Sequence, residues 1–524
     1  MRTISVLAFI LLFSACKNKA PESLPSVRPD SSYYQEKYRP QYHFSPEANW
    51  MNDPNGLVFL DGEYHLFYQY YPDSTVWGPM HWGHAVSRDL LHWKHLPVAL
   101  YPDSLGYIFS GSAVVDTAFT SGFGSKENPA MVAIFTSHDP VLEKKGSKLF
   151  QNQSIAYSID KGRTWTKFEG NPVLRNPGIR DFRDPKLFWN EQYGKWELIM
   201  AVFDRVHIYS SADIKNWKFE SEFGATAGAH SGVWECPDLF PLKVEGTGET
   251  RWAMIVSINP GGPNKGSATQ YFTGNFDGHK FIPDDTAAKW VDWGRDNYAG
   301  VTWSNIPDDD GRRIFIGWMS NWQYATVVPT EVWRSASTNP RELGLKNESG
   351  HYILTSKPVR ELIDLRRKAD TTSAKNLIIT GEKVISAGKV DIMQSEILAE
   401  FDLSGSKADT IGLILENALN EKLIIGYSPL KKQFYVDRRK SGRSDFSKDF
   451  ASVITAPYKA GKILKLHIYI DASSVELFVD DCSLVMTNLV FPSEKFSGVR
   501  IFSRGGETVL TKALFYGIDR IWSQ

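Results

Sequence analysis

The sequence predicts an all-β protein: a five-bladed β-propeller over residues 38–345, followed by a C-terminal antiparallel β-sandwich over residues 370–524. Three observations carry this. A hairpin pattern, apolar run then turn then apolar run, recurs five times between about residue 50 and residue 340, at the spacing of four-stranded propeller blades. In three of those units a carboxylate stands just before a proline that leads into the hairpin: Asp53-Pro54, Asp184-Pro185 and Glu235-Cys236-Pro237. After Pro340 the strands continue with period-two alternation and no helix-length run, which is the pattern of a sandwich. A chain of 524 residues is also too long for a single core.

Taken in order, the chain opens with Arg2, an apolar run from Ile4 to Phe13 and then Ser14-Ala15-Cys16. The run is too short to span a bilayer and fits a secretory signal over residues 1–16. Its end resembles a lipobox, which would make Cys16 a lipidated first residue and the Pro-, Ser- and Lys-rich segment 17–37 a flexible tether. The first blade starts at Trp50-Met51-Asn52-Asp53-Pro54-Asn55-Gly56, where proline fixes φ and glycine permits a tight turn before Leu57-Val58-Phe59-Leu60. Ser112–Val115 with Met131–Phe135, Lys186–Phe188 with Trp196–Met200, Asp238–Phe240 with Trp252–Val256, and Val301–Trp303 with Ile314–Trp318 supply the other four hairpins. A second signature, a serine two residues before an aspartate with a tryptophan shortly after, recurs at Ser87, Ser158 and Ser211. Residues 346–369 read as a linker, with alternating charge from Pro358 to Lys368 suggesting a short helix. Sandwich strands follow at Ile397–Phe401, Ile411–Leu415, Leu464–Ile470 and Val475–Val479.

The formal net charge of −1 and pI near 6.9 give bulk charge no role in drawing the chain to nucleic acid or an anionic membrane. An aromatic content of 13%, with 17 Trp and 22 Tyr, suits stacking on carbohydrate. Beyond Cys16 only Cys236 and Cys482 remain, in different predicted domains, so no disulfide framework is expected.

In a radial arrangement the first strand of each blade lines the axis, so the three acid-bearing units bring Asp53, Asp184 and Glu235 into one funnel. Two carboxylates across a glycosidic bond are the minimum equipment for glycoside hydrolysis, and a third can hold substrate hydroxyls. Asp53, between Asn52 and Asn55, is expected to be hydrogen-bonded into a low pKa and to act as nucleophile. Glu235, beside Trp234, Cys236 and Pro237, is expected in apolar surroundings that raise its pKa, as an acid/base requires. Asp184 follows Arg183, whose charge argues for a permanent anion rather than a proton donor.

The blocks Trp50–Gly56, Phe182-Arg183-Asp184-Pro185 and Trp234-Glu235-Cys236-Pro237 resemble the signature blocks of the invertase, levanase and inulinase family, glycoside hydrolase family 32. So do Phe67–Tyr70, Trp77–His84, Phe109–Ser112, Gly317–Tyr324 and, in the predicted sandwich, Ile468–Phe478. The resemblance spans nearly the whole chain after the signal and is closest to bacterial exo-acting levanase/inulinase lipoproteins. It implies a retaining β-fructofuranosidase acting on levan, inulin and sucrose, with Asp53 as nucleophile, Asp184 as transition-state stabiliser and Glu235 as acid/base. It further implies a fructose subsite made by Trp50, Asn52, Gln69, Trp77, Phe109, Ser110 and Arg183, with Trp318 nearby, and neither metal nor cofactor. Partners are then a β-fructan and, through the lipid alone, a membrane of the periplasm or cell surface. Endo action, fructosyl transfer and a non-catalytic fructan-binding role share these residues or the fold. The segment Ser158–Trp165 matches a sialidase Asp-box, but once only and without an arginine cluster. The Asn321-Trp322-Gln323-Tyr324 block resembles exo-acting members.

Overall fold

The computed structural model describes residues 33–522. The signal and Cys16 therefore lie outside the described residues, as does most of the tether. Residues 33–37 are a correction to that tether: Tyr34 is buried, stacks on Trp522 with ring centroids 4.0 Å apart and donates to Ser45 O, so the chain is already packed there.

Five antiparallel sheets form the propeller. Their inner strands are Asn49–Leu60, Tyr107–Val115, Phe182–Asn190, Val233–Lys243 and Tyr298–Thr302, each followed outward by its hairpin partner. The ring closes where Trp333–Arg334, from the end of the chain's circuit, pairs in parallel with Asn49–Trp50 of the first blade. The repeated serine–aspartate signature is one turn used three times. Ser87, Ser158 and Ser211 donate to Asp89 (2.9 Å), Asp160 (2.7 Å) and Asp213 (3.1 Å) between the third and fourth strands of their blades.

The expected linker differs from the structure. Arg341–Glu348 and His351–Pro358 are the two outer strands of the fifth blade, because their period-two residues Leu343, Leu345 and Leu354 bury against Phe240, Ala253 and Ile255 of the fourth. Only a 3-10 turn, Arg360–Leu365, separates them from the 20-residue strand Arg366–Ile385. The alternating charges that suggested a helix are the exposed face of that turn and of the start of the strand, while Leu362 and Leu365 point into the core.

The second domain is one ten-stranded hydrogen-bonded sheet that folds over around a single core, as a sandwich does. Arg366–Ile385 and Gly498–Ile518 run the length of it as one antiparallel pair. It is bonded to the propeller by buried ion pairs. Arg341 bridges Asp292 (2.9 Å) and Glu476, Arg438 meets Asp296 (2.6 Å), and His43 lies between Asp471 and Glu476, 2.8 Å from each.

Candidate active site

Every inner strand breaks register with its neighbour near its N-terminal end: between Met51 and Pro54, Ile108 and Gly111, Arg183 and Lys186, Glu235 and Asp238, and Tyr298 and Val301. Proline lacks the ladder donor, and a bulge adds a residue and re-aims a side chain. Asp184 (φ 63°), Cys236 (φ 46°) and Ala299 (φ 53°) adopt the left-handed conformation that these bulges need. The result is one ring of redirected residues at one end of the channel. The three acids are not strictly equivalent in it, since Asp53 and Asp184 stand inside their bulges and Glu235 immediately before its own.

Asp53 is held by neutral donors. Asn52 Nδ2 donates to Oδ1 (3.0 Å), and Asn52 in turn accepts from Trp50 Nε1 (2.7 Å). Ser110 Oγ donates to Oδ2 (2.8 Å), and the Cys236 thiol points at the same oxygen (3.6 Å). Asp184 is buried. Its Oδ2 accepts from Cys236 N (3.1 Å) and lies 3.8 Å from Arg183 Nε, while its own N–H donates to Thr136 Oγ1 (3.0 Å). Arg183 reaches past it to Glu235 Oε1 (2.9 Å from Nη2) and back to Asp181 (2.6 Å from Nη1). Tyr298 donates its hydroxyl to the other oxygen of Glu235.

This electrostatic pattern corrects three expectations. Burial, and then the charge of Glu235, push Asp53 up to about 6 against the pull of Asn52, Ser110 and Cys236, so its hydrogen bonds do not give it a low pKa. Glu235 is not in apolar surroundings: it faces a guanidinium and a phenol. Asp184 is pushed up to about 7 by burial, with Glu235 and Asp53 adding to the rise and Arg183 opposing it, so the adjacent cation does not make it a strongly acidic group. Arg183 itself is held more firmly protonated by Glu235, Asp184 and Asp181, despite its burial.

The other candidate binding residues divide into rim and support. Trp77 is 40% exposed and meets Phe109 edge-on, and Phe109 stacks on His138 with centroids 4.0 Å apart. Gln69 is buried and donates to Asn55 Oδ1 (2.7 Å) and Ile108 O (3.0 Å), which ties the first bulge to the second. Trp50 is 0% exposed, a correction to its placing in the subsite, and Trp318, expected nearby, is likewise 0% exposed. Both stand behind Trp322, whose ring lies 5.9 Å and 4.8 Å from theirs, and Trp50 acts through Asn52. Sequence reasoning missed Tyr298, Cys236, Thr136 and Trp322 as parts of the site. Tyr298 and Thr136 have no local signature, and only their place at or beside a strand's register break could have found them; Cys236 stands in the block around Glu235 but reads there only as its apolar neighbour.

The family model for the glycosyl hydrolases family 32 N-terminal domain matches residues 43–358, and that for the C-terminal domain matches residues 361–516. The chain is 48% identical over 501 residues to a levanase of Bacillus subtilis, covering 94% of this chain and 72% of that one. It is 39% identical over 525 residues to an extracellular exo-inulinase of Aspergillus awamori, covering 94% and 96%. Among solved structures, an exo-inulinase from Aspergillus awamori superposes with a TM-score of 0.86 at 38% identity over 93% of this chain and all of that one. A fructofuranosidase from Schwanniomyces occidentalis in complex with fructose gives 0.84 at 32% identity, over 94% and 99%.

Proposed function

The chain belongs to glycosyl hydrolase family 32, and from that premise we propose that it is a retaining β-fructosidase that releases terminal fructose from β-fructans, with sucrose as a further substrate. The observation that carries the reading is the convergence of three carboxylates at one end of the propeller channel: two partly exposed toward the funnel, Asp53 and Glu235, and Asp184 behind them.

Asp53 attacks the anomeric carbon of the fructosyl unit, its carboxylate aimed by Ser110 and Asn52. Glu235 gives a proton to the leaving oxygen and, in the second half-reaction, takes one from water. Arg183 and Tyr298 fix its carboxyl from either side, so the same oxygen stays in place through both proton transfers. Asp184 accepts hydroxyls of the sugar as its ring gains positive charge. Trp77, Phe109 and Trp322 give the funnel an aromatic rim against which a furanose or its neighbour can pack.

Thin-layer chromatography of products from levan, inulin and sucrose tests this. Fructose alone is expected from the polymers from the earliest times, and a ladder of oligosaccharides would show internal cleavage instead. Relatives described as extracellular support export. Anchoring through Cys16 is the finer proposal, resting on the short apolar run that ends at Ser14-Ala15-Cys16. Mass spectrometry of native protein is expected to give a diacylglycerol-modified Cys16, and an unmodified N-terminus downstream of it overturns the anchor.

A further inference from the structure

At the end of the propeller channel opposite the three acids lies a second cavity, of about 460 Å³. The inner strands explain its position. Ser110, Asp184 and Glu235 stand near the starts of their strands, while the cavity is walled by residues further along the same strands, among them Val115, Lys186, Phe188 and Asp238. Between the two chambers Lys186 meets Asp238 (3.0 Å) and donates to Thr302 O (2.5 Å), while Thr302 gives both its N–H and its hydroxyl to Asp238 Oδ2 (2.8 Å each). All three residues are buried, so this plug divides the channel into separate sites.

The geometry points to this chamber as a second, non-catalytic site that takes a neutral saccharide. Its size falls within the roughly 300–1,000 Å³ of small-molecule pockets. Its walls carry half-buried aromatic rings, Phe188, Trp189 and Trp252, which offer apolar faces to the C–H side of a sugar. Around them stand Gln192, Asn305 and Asp308, exposed at the mouth, which can exchange hydrogen bonds with hydroxyls. The charges that line it, Lys186 and Arg313 against Asp238, Asp308 and Glu191, leave one carboxylate in excess, so an uncharged polyol fits better than an anion. The buried Oδ1 of Asp238 has no hydrogen-bond partner among the described residues, and burying an acceptor unpaired is costly. A ligand hydroxyl in the chamber would supply the missing donor. Such a site would let one protein hold a fructan chain away from the catalytic funnel while a chain end is cut.

The test is calorimetric titration of an inulin-type tetrasaccharide into full-length Glu235→Gln protein, which binds without turnover. Two independent sites are expected. Adding Asp308→Trp, which fills the mouth from an exposed position, is expected to leave one site, and adding Trp252→Ala to weaken the second roughly five- to tenfold by removing one aromatic face. Asp308→Trp in the otherwise native enzyme is expected to hydrolyse sucrose at the unchanged rate. A single site in Glu235→Gln protein, or two sites that survive Asp308→Trp, overturns the inference and leaves the catalytic reading standing. Failure of both sites to bind would count against both readings. Inorganic phosphate is the control, and phosphate heat abolished by Asp308→Trp without a second saccharide site would make the chamber an anion site and also overturn the inference.

Discussion

Replacing Ser110 by alanine tests how Asp53 is kept reactive. Asp53 must be ionised to attack, and burial together with Glu235 places its pKa at about 6, so the rate constant kcat/KM should fall as pH drops through that value. The Ser110 hydroxyl, 2.8 Å from Oδ2, is one of three side-chain donors that oppose the rise. A hydrogen bond to a charged group contributes about 1.5–3 kcal/mol, and one pKa unit corresponds to about 1.36 kcal/mol. Because Asp53 is partly open to the funnel, water recovers part of the loss, and the lower end of that range applies. Ser110→Ala should therefore move the acid limb upward by about one unit and cost about tenfold in kcat/KM below it, with a smaller loss on the plateau. The assay is a pH profile of sucrose hydrolysis, with thermal melting to confirm the fold. An unmoved acid limb accompanied by a raised KM would refute the reasoning, because Ser110 would then serve the substrate and not the nucleophile.

Asp53→Ala and Glu235→Ala should each abolish hydrolysis of natural substrates, a loss of at least a hundred- to ten-thousand-fold for the acid/base alone. Glu235→Ala should retain activity on an activated aryl fructoside whose leaving group needs no proton, and equal loss on both substrates would remove Glu235 from the acid role. Proton NMR of fresh hydrolysate should show β-fructose first, since two inversions restore the configuration; initial α-fructose would make water the direct nucleophile. At the domain interface, Asp471 and Glu476 raise His43 from 6.5 to about 9 against the effect of burial. A raised histidine contributes stability that is fully present below about pH 6.5 and lost as pH rises through about 9, on the order of 3 kcal/mol here. Melting temperature should therefore decline across that window, and His43→Gln should flatten the decline; an equally steep decline in the variant would detach it from His43.

The parts of the molecule legible in the sequence are those whose cause is local. Hairpin periodicity, the three serine–aspartate turns and the acid–proline pairs each occupy a few consecutive residues, and the structure builds blades, turns and bulges at those places. What escaped is what arises between blades. Tyr298 reaches Glu235 from 63 positions away, and Ser110 reaches Asp53 from 57. The neighbours Asn52 and Asn55 suggested an Asp53 hydrogen-bonded from both sides into a low pKa, yet Asn55 turns its amide to Pro54 O and Gln69, so of the two asparagines only Asn52 acts on the carboxylate. Trp50 was expected in the fructose subsite, but it is buried with the ring of Trp322 5.9 Å from its own, a neighbour distant in sequence that only the fold brings there. The supposed linker misled for a related reason: a 3-10 turn leading into a half-exposed strand carries the same alternating charge as a surface helix.

One cation serves the three acids, and how its charge is divided bears on the reaction. Arg183 spends its hydrogen bonds on Glu235 and Asp181 and stands 3.8 Å from Asp184, while Asp53 rests on Asn52, Ser110 and Cys236, none of them charged. Asp53 and Asp184 are thus both short of positive charge as anions, which is why burial lifts them to about 6 and about 7. The missing charge is of the kind that appears on a fructosyl ring as its bond to the leaving oxygen breaks. A neutral ground-state sugar cannot supply it, and an oxocarbenium-like transition state can, so the two aspartates interact more strongly with the transition state than with the substrate. Had evolution placed a second arginine beside Asp53, the carboxylate would be more acidic and better satisfied at rest, and that preference for the transition state would be smaller.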